Sequence, residues 1–298
     1  MRIVITGATG FIGSDLIKKI DTKKNKILCI SRKTHKNKNN IKWIKCSLSE
    51  DNKYKKQISD FNAEVVIHLA WEGIPNLSKK NCRKNLSISK KFLNYFLNSK
   101  HCKKIIISGT CFEYKNNIGS CNENSKIEKK NIFSTTKANL RQWVEDKVKK
   151  KKIKLYWLRI FYAYGSEQRK DSLIPTCIRS IKMNKEPQIK NLHNINDFIF
   201  VEDISNAIKN FIYKRIDSGI YNVGSGRPVS ILKVIKTIYK IFQPKNRNVK
   251  FQKKILINNK QKFWANLRKI KKNTGWQPRY DIYKGIKKII NDKKLNNF

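Results

Sequence analysis

The chain opens with MRIVITGATGFIGSDLI, residues 1–17, and this stretch decides the fold. Its beginning, Arg2–Thr6, is a short apolar and β-branched run with the composition of a buried parallel strand. Three glycines, Gly7, Gly10 and Gly13, follow at three-residue spacing and open a segment with apolar residues at helical intervals. A strand, a glycine-rich turn and a helix in this order are typical of a site for the pyrophosphate of a dinucleotide.

Each glycine has a separate expected role in such a turn. Gly7 permits the tight connection from strand to helix, Gly10 lets backbone N–H groups approach the phosphates, and Gly13 lets the helix lie close to the strand. The N-terminus of the helix adds a partial positive charge toward the anion. A turn that was merely tight would need one glycine rather than three, so the sequence predicts dinucleotide binding.

The glycine spacing is T-G-x-x-G-x-x-G rather than G-x-G-x-x-G. Residues 6–13 therefore resemble the nucleotide motif of the extended short-chain dehydrogenases, the family of nucleotide-sugar epimerases, dehydratases and reductases. Later motifs follow in that family's order, and the resemblance covers nearly the whole chain. It implies that NADP or NAD is the cofactor. The residues that it places against the cofactor are Gly7, Thr9, Gly10, Phe11, Ile12, Gly13, Ser31, Arg32, Leu69, Ala70 and Lys137.

The end of the second predicted strand, residues 26–30, bears on the choice between NAD and NADP. A carboxylate there would hold the ribose 2′-OH, whereas basic residues accommodate a 2′-phosphate. The chain has Ser31, Arg32 and Lys33 and no carboxylate, which favours NADP(H), although lysine occurs throughout the chain and NAD stays open. After the third strand the family has an aspartate that contacts the adenine, and this chain has Ser47 there.

The fourth predicted strand, residues 64–70, reads EVVIHLA and resembles the family's D-V-V-I-H-L-A. We interpret His68 as a hydrogen-bonded histidine at the end of the strand rather than as a catalytic group. Trp71 then begins a loop that we expect to face the substrate. In the helix predicted over residues 81–97, Asn85 matches an asparagine that the family places near the active site, and a solvated asparagine is the alternative.

The segment SGTCFEY, residues 108–114, follows the fifth predicted strand and is similar to the family's S-S-x-x-x-Y-G. In the family the third position supplies a hydroxyl to the oxygen of the substrate. The resemblance therefore implies that Thr110 polarises the substrate. A hydroxyl after a strand can also simply cap a turn.

One position departs from the family's catalytic pattern. The family's general acid/base is a tyrosine four residues before a lysine on one face of a helix. The lysine lowers the pKa of the tyrosine and holds the nicotinamide ribose, so that the phenol transfers a proton. In residues 131–139, NIFSTTKAN, Lys137 is present, but Phe133 stands where the tyrosine belongs.

Phenylalanine packs like tyrosine but transfers no proton, and two hypotheses follow from Phe133. In the first, Thr110, a hydroxyl of residues 134–136 or a water relays the proton, and activity survives at a reduced level. In the second, the chain keeps the fold and the binding sites but has lost hydride chemistry. General acid/base groups contribute roughly 10²- to 10⁴-fold to rates.

The second half of the chain carries the expected substrate contacts. Residues 159–165 resemble L-R-x-F-N-x-Y-G, with Tyr162 in place of the family's asparagine. Arg227, and more weakly Lys253, are candidates for binding the nucleotide diphosphate, because that anion needs cationic donors; solvated charges are the alternative. The residues predicted to bind substrate are Trp71, Asn85, Thr110, Tyr162 and Arg227.

The net charge of +46 raises the possibility of nucleic-acid binding. The chain has 12 arginines and 55 lysines, and the lysines are scattered rather than clustered. Lys, Asn and Ile are all abundant and share A/T-rich codons, so drift in an A/T-rich genome accounts for the three enrichments together. A phosphate-binding face would be clustered and richer in arginine. We therefore expect no specific nucleic-acid partner.

Other features of the composition indicate a cytoplasmic protein. No run approaches 18 apolar residues, so we expect no membrane span. The first strand begins at residue 2, so we expect no signal peptide. The seven cysteines are odd in number and show no C-x-x-C pairing, which predicts reduced, mostly buried thiols and no metal site.

Together these features predict an α/β protein with a Rossmann-type doubly wound parallel sheet and a smaller, mainly C-terminal substrate-binding region. We expect the core in residues 1–164 and 195–224, and the substrate region in residues 165–194 and 225–298. The resemblance implies an NAD(P)-dependent reductase, epimerase or dehydratase of a nucleotide-activated sugar, in surface-polysaccharide biosynthesis by analogy, and a homodimer. The alternative is a catalytically impaired homologue that binds a dinucleotide.

Overall fold

The computed structural model describes residues 1–115, 119–128, 131–242 and 261–292; Lys253 lies outside these ranges. The β-strands are β1 (Arg2–Thr6), β2 (Lys26–Ser31), β3 (Ile41–Lys45), β4 (Val65–His68), β5 (Lys104–Thr110), β6 (Gly119–Cys121), β7 (Lys154–Ile160), β8 (Tyr162–Tyr164), β9 (Ile195–Phe200), β10 (Gly219–Val223), β11 (Pro228–Ser230) and β12 (Phe263–Ala265). The α-helices are α1 (Phe11–Lys19), α2 (Lys55–Phe61), α3 (Lys79–Leu97), α4 (Ile132–Val148), α5 (Leu173–Lys182), α6 (Val201–Tyr213), α7 (Ile231–Phe242), α8 (Arg268–Thr274) and α9 (Ile282–Asn291).

Seven strands form one parallel sheet in the order β3-β2-β1-β4-β5-β7-β10. Thr6, at the end of β1, lies opposite Ile30 of β2 on one side and His68 of β4 on the other. The chain winds outward from β1 in one direction through β2 and β3, and in the other through β4. A crevice therefore forms at the carboxyl end of β1, where such sheets bind ligands.

Helices cover both faces of the sheet because the strands are apolar on both sides. On one face, Leu16 of α1 and Phe211 of α6 belong to the same buried cluster as Ile5. On the other face, Phe92 of α3 and Leu140 of α4 pack in a second buried cluster. This arrangement confirms the predicted α/β fold with a Rossmann-type, doubly wound parallel sheet.

A smaller body of structure lies beyond the sheet. It contains a three-stranded sheet, β11-β9-β8, a two-stranded sheet, β12-β6, and an apolar cluster formed largely by α5, α7 and α9. Asp197 of β9 connects these parts, because its buried carboxylate accepts hydrogen bonds from Ser225 N at 2.6 Å, Gly226 N at 2.9 Å and Ala265 N at 3.0 Å. Burial raises the pKa of this carboxyl, and the hydrogen bonds oppose that shift.

Two kinds of feature are absent from the described part of the chain. No helix there is long and apolar enough to cross a membrane. No group of three or more His, Cys, Asp or Glu side chains there is placed to hold a metal ion. All seven cysteines are buried and unpaired, as the sequence predicted.

Candidate dinucleotide site and the Phe133 position

The three glycines form the turn between β1 and α1. Gly7 has a φ of +70°, and a Cβ there would lie 2.8 Å from the backbone nitrogen of Ala70. A Cβ on Gly13 would lie 2.1 Å from the carbonyl oxygen of Gly7, so only glycine lets α1 come this close to the turn. A Cβ on Gly10 would have one close neighbour, the Gly7 oxygen at 3.1 Å.

A cavity of 610 Å³ lies beside this turn, at the carboxyl ends of β1, β2 and β4. Every residue that the sequence placed against the cofactor lines it, with the single exception of Lys137. The residues come from three segments, namely the glycine turn with the first residues of α1, the end of β2 at Ser31 and Arg32, and the loop after β4 at Leu69 and Ala70. The first turn of α1 faces this space, where its free N–H groups favour an anion.

The cavity also has lining residues that the sequence analysis missed. Cys46 and Leu48 follow β3, Glu72 follows Trp71, and Gln168 and Arg169 come from the segment between β8 and α5. The first two could have been found from the rule that parallel strands present their carboxyl ends at one edge of a sheet. The last two are distant in sequence and belong to no motif that marks them.

His68 is buried beneath the cavity and fully hydrogen-bonded. Its Nδ1 lies 2.8 Å from Thr6 Oγ1 and its Nε2 lies 3.0 Å from Ser89 Oγ. Burial, with a smaller contribution from the charge of Lys137, lowers the pKa of His68 to about 3. The imidazole is therefore neutral and joins β4 to β1 and α3, which agrees with the structural role predicted for it.

Lys137 lies on α4 and is 3% exposed. Its Nζ donates a hydrogen bond to the carbonyl oxygen of Ser108 at 2.8 Å and lies 4.1 Å from the centroid of the Trp71 ring. Burial lowers the pKa of Lys137 to about 7, and the negative charge of Glu113 opposes this shift. The ammonium form is thus held by one carbonyl and one aromatic face.

Phe133, which the sequence analysis matched to the family tyrosine, lies on α4 one helical turn before Lys137. Its ring centroid lies 5.5 Å from that of Trp71 with the planes at 81°, an edge-to-face contact, and 6.0 Å from the Nζ of Lys137. Trp71 lines the cavity, whereas Phe133 and Lys137 do not. The indole therefore lies between the cavity and these two residues of α4. Its own Nε1 is buried without a hydrogen-bond partner among the described residues.

Thr110 ends β5 and caps a short 3₁₀ turn, Cys111–Glu113. Its hydroxyl oxygen accepts a hydrogen bond from Phe112 N at 3.2 Å, and its own N–H donates to Glu113 Oε1 at 3.3 Å. The turn-capping role that the sequence left open is therefore present. Because Oγ1 acts as an acceptor here, the hydroxyl hydrogen of Thr110 is still able to donate elsewhere. Thr110 does not line the cavity.

The hydroxyls that neighbour Phe133 on α4 donate to the backbone instead. Ser134 Oγ and Thr135 Oγ1 each donate to the carbonyl oxygen of Asn131 at 3.0 Å. Thr136 Oγ1 donates to the carbonyl oxygen of Ile132 at 2.5 Å. Of the hydroxyl groups predicted to replace the missing phenol, that of Thr110 is thus the one that donates to no backbone oxygen of the described residues.

Glu113 fixes the position of this turn and was not singled out from the sequence. Its carboxylate lies 3.0 Å from Arg159 Nε and accepts from Trp157 Nε1 at 2.8 Å. Glu113 and Arg159 are 3% and 1% exposed, so this is a buried ion pair with hydrogen bonds on both carboxylate oxygens. The pair joins the end of β5 to β7, and Glu113 also holds Thr110 by accepting a hydrogen bond from its backbone N–H.

The family model that describes the NAD dependent epimerase/dehydratase family matches residues 3–224. The chain belongs to this family. Among its relatives is dTDP-6-deoxy-L-talose 4-dehydrogenase (NAD(+)) of Aggregatibacter actinomycetemcomitans, which is 26% identical over 78% of this chain and 87% of its own length. Another is dTDP-4-dehydro-6-deoxyglucose reductase of Escherichia coli, which is 27% identical over 97% of this chain and 96% of its own length.

Solved structures of similar fold hold NAD and nucleotide sugars. One is a tyrosine-to-phenylalanine mutant of UDP-glucuronic acid 4-epimerase from Bacillus cereus, in complex with UDP-4-deoxy-4-fluoro-glucuronic acid and NAD. It is 22% identical to this chain, each chain is covered over its full length, and the TM-score is 0.83. At this identity the likeness concerns the fold.

In this member of the epimerase/dehydratase family, Trp71 lines the cavity, but the other four residues predicted to bind substrate, Asn85, Thr110, Tyr162 and Arg227, do not. Asn85 is 5% exposed, and both N–H groups of its amide donate to backbone oxygens, those of Glu72 and Asn81. The alternative of a solvated asparagine is therefore wrong, because this amide is buried and holds a loop. Tyr162 packs against Phe112 and Phe198, and its hydroxyl lies 2.5 Å from Gln261 Nε2.

Arg227, which the sequence analysis proposed as a ligand of the nucleotide diphosphate, is exposed and does not line the cavity. The structure thus brings all of the predicted cofactor residues except Lys137 together around one space, with Trp71 at its border. It places Phe133 and Lys137 against that indole, whereas Asn85, Thr110, Tyr162 and Arg227 do not line the cavity.

Proposed function

We propose that this member of the NAD-dependent epimerase/dehydratase family binds a nicotinamide dinucleotide in the 610 Å³ cavity and acts on a nucleotide-activated sugar. The observation that carries the proposal is the cavity itself, which begins at the glycine turn and lies at the switch point of a parallel sheet. When bound, the nicotinamide supplies or accepts a hydride at a sugar carbon. The names of the dehydrogenase and reductase relatives support a place in the synthesis of surface-polysaccharide sugars.

The residues present fit such a cofactor along the length of the cavity. Gly10 and the N-terminus of α1 would hold the pyrophosphate, because a side chain at Gly10 would occupy this space. Ser31 and Arg32 at the end of β2 would lie beside the adenosine ribose, and the lack of a carboxylate there favours a 2′-phosphate. We therefore propose that NADP(H) is accepted in preference to NAD(H).

Trp71 would lie at the nicotinamide end. Its indole now covers the Nζ of Lys137, so the ring must turn aside before Lys137 can reach the nicotinamide ribose. The unpartnered Nε1 of Trp71 is consistent with this movement, since a buried donor without an acceptor costs about 1–3 kcal/mol. Lys137 would then hold the ribose, as the family resemblance implies.

We propose that the hydroxyl of Thr110 donates a hydrogen bond to the sugar oxygen in place of the missing tyrosine. Its hydroxyl hydrogen is able to donate to the substrate, while the Glu113 and Arg159 pair keeps the turn in place. A threonine hydroxyl does not ionise as readily as the phenol it replaces, so a water would have to restore its proton. We therefore expect turnover at a reduced level.

The second candidate function is that of a catalytically impaired homologue, and Phe133 is the observation that favours it. Phe133 fills the tyrosine position with a ring packed edge-to-face against Trp71, which preserves packing and removes the proton donor. The Bacillus cereus epimerase mutant, which also carries phenylalanine in place of a tyrosine, still holds NAD and a nucleotide sugar. Binding without turnover is thus chemically reasonable.

Turnover separates the two candidates. The purified protein is incubated with dTDP-4-dehydro-6-deoxyglucose and NADH or NADPH, and oxidation of the nicotinamide is followed by absorbance. Turnover that is lost in both Thr110→Val and Lys137→Ala, but kept in a variant of exposed Asn139, supports the active enzyme. Activity that arises only in Phe133→Tyr, with a gain of about 10²- to 10⁴-fold, supports the impaired homologue.

We also infer the larger organisation from the family resemblance. Residues 165–194 and 225–298 would close over the carboxyl ends of the strands and supply the site for the nucleotide sugar. The protein would form a homodimer through α3 and α4, the helices that carry Asn85 and Lys137.

A further inference from the structure

The cavity has an apolar stretch at the ends of β2 and β3. Ile30 of β2 and Cys46 and Leu48 after β3 line it with aliphatic and thiol groups. Of the described residues that line the cavity, three are charged, namely Arg32, Arg169 and Glu72. Glu72 is therefore the carboxylate of this cavity.

The backbone of Glu72 is held in place by the buried amide of Asn85. Asn85 Oδ1 accepts from the N–H of Glu72 at 2.7 Å, and Asn85 Nδ2 donates to the carbonyl oxygen of Glu72 at 2.9 Å. The remaining N–H of this amide donates to the carbonyl oxygen of Asn81, which ties the arrangement to α3. A loop residue gripped at both backbone groups presents its side chain from a fixed point.

The carboxylate of Glu72 reaches toward the end of β3. Its Oε1 lies 3.5 Å from Ser47 Oγ, and its Oε2 lies 3.7 Å from Lys84 Nζ. Ser47 follows Cys46 directly, so this places an acceptor next to the apolar lining of Cys46 and Leu48. Position 47 itself is a serine, and Glu72 brings a carboxylate to this place from the loop after β4.

This combination fits one part of a dinucleotide. Apolar walls take the faces of a flat ring, and a carboxylate at its edge accepts hydrogen bonds and offers none. Adenine carries an amino group on that edge, whereas hypoxanthine carries a carbonyl oxygen that a carboxylate repels. An acceptor fixed in this way therefore distinguishes the two bases.

We propose that Glu72 recognises the exocyclic amino group of the cofactor's adenine and so selects adenine dinucleotides. The inference rests on the proposed function, because it needs a dinucleotide in the cavity. It adds a specificity-determining residue outside the glycine motif. Asn85 acts through it as a positioning residue.

Calorimetric titration tests this with base analogues instead of turnover. Dissociation constants are measured for NADH and NADPH and for the corresponding nicotinamide hypoxanthine dinucleotides, with the wild type, Glu72→Gln and Glu50→Gln. Glu50 is the matched control, because its carboxylate also bonds Ser47, at the backbone nitrogen, but does not line the cavity. Circular dichroism and thermal melting establish that each variant folds.

We expect the wild type and Glu50→Gln to bind the adenine form about 10-fold or more tightly than the hypoxanthine form. In Glu72→Gln this ratio falls to near one or inverts, since an amide N–H donates to the hypoxanthine oxygen. Equal binding of both bases by the wild type overturns the inference and leaves the proposed function standing. An equal loss for both bases in Glu72→Gln overturns it as well and assigns Glu72 to the ribose. Failure of folded wild type to bind any of the four compounds overturns the proposed function, and the inference with it.

Discussion

The Nζ of Lys137 lies 4.1 Å from the ring centroid of Trp71, and this indole separates the lysine from the cavity. The ammonium is desolvated, and its one hydrogen bond to the described residues is that to Ser108. A buried cation with so few partners stays charged only at a cost in stability. The lysine therefore makes the fold sensitive to pH.

Lys137→Met should stabilise the protein most at low pH. Burial lowers the pKa of Lys137 from 10.5 to about 7. Below pH 7 both the folded and the unfolded chain hold the proton, and the folded protein carries the full cost of the buried charge. Between pH 7 and 10.5 only the unfolded chain holds it, so the stability of the wild type rises with pH through this range.

Urea denaturation at pH 6 and pH 9 checks this expectation. The advantage of Lys137→Met over the wild type should be larger at pH 6 than at pH 9. Lys147→Met, an exposed position on the same helix, serves as the control and should show the same small effect at both pH values. An advantage of Lys137→Met that is independent of pH would contradict the account of the buried ammonium.

Gly10 and Gly13 should respond differently to alanine. A Cβ at Gly13 would lie 2.1 Å from the Gly7 carbonyl oxygen, so Gly13→Ala should destabilise the fold by several kcal/mol. A Cβ at Gly10 meets the same oxygen at 3.1 Å and otherwise points into open space. Gly10→Ala should cost about 1 kcal/mol or less in stability and weaken dinucleotide binding at least about 10-fold. Thermal melting and calorimetry distinguish these effects, and similar losses of stability in both variants would be the wrong outcome.

Glu113→Gln should destabilise the fold by about 3–5 kcal/mol, because it leaves the buried guanidinium of Arg159 without its counter-charge. Urea denaturation measures the loss. Glu186→Gln, at an exposed position, should change the stability by less than about 0.5 kcal/mol. The double variant Glu113→Gln, Arg159→Met should recover part of the lost free energy of unfolding. A loss in the double variant equal to the sum of the losses in Glu113→Gln and Arg159→Met would argue against a direct pair.

Arg32→Ala should weaken the binding of NADPH about 10-fold and leave that of NADH nearly unchanged, because a guanidinium at the end of β2 pairs with a 2′-phosphate. The neighbouring Lys33→Ala is the control, since Lys33 does not line the cavity. Equal affinities of Arg32→Ala and the wild type for NADPH would remove the structural reason for a preference for NADP(H).

Much of the fold was accessible from local sequence signals. The glycine motif fixed β1 and α1, and the apolar runs located the other strands of the sheet to within about two residues. The third strand was predicted over residues 41–44 and is Ile41–Lys45, and the helix predicted from residue 81 begins at Lys79, where Ser78 caps it. Strand periodicity and caps are local properties, so a sequence reveals them.

The cofactor cavity was also largely accessible, because its walls come from the ends of β1, β2 and β4. The contributions of Glu72 and Arg169 were not, since they depend on how loops from different parts of the chain fold over that edge. The contact between Trp71 and Lys137 depends on side-chain rotamers and tertiary packing, and spacing along the chain carries no information on either. The burial of Glu113 with Arg159 was hidden for the same reason, because many charged residues of this chain are exposed.

Calorimetric titration of the folded wild type and of Gly10→Val with NADH and NADPH tests most directly whether the glycine turn holds the dinucleotide. We expect one molecule of dinucleotide per chain, bound with a dissociation constant between about 1 µM and 1 mM, and no measurable binding in Gly10→Val. The absence of heat with either dinucleotide for the folded wild type, or undiminished binding by a folded Gly10→Val, would contradict the claim that the glycine turn holds the cofactor.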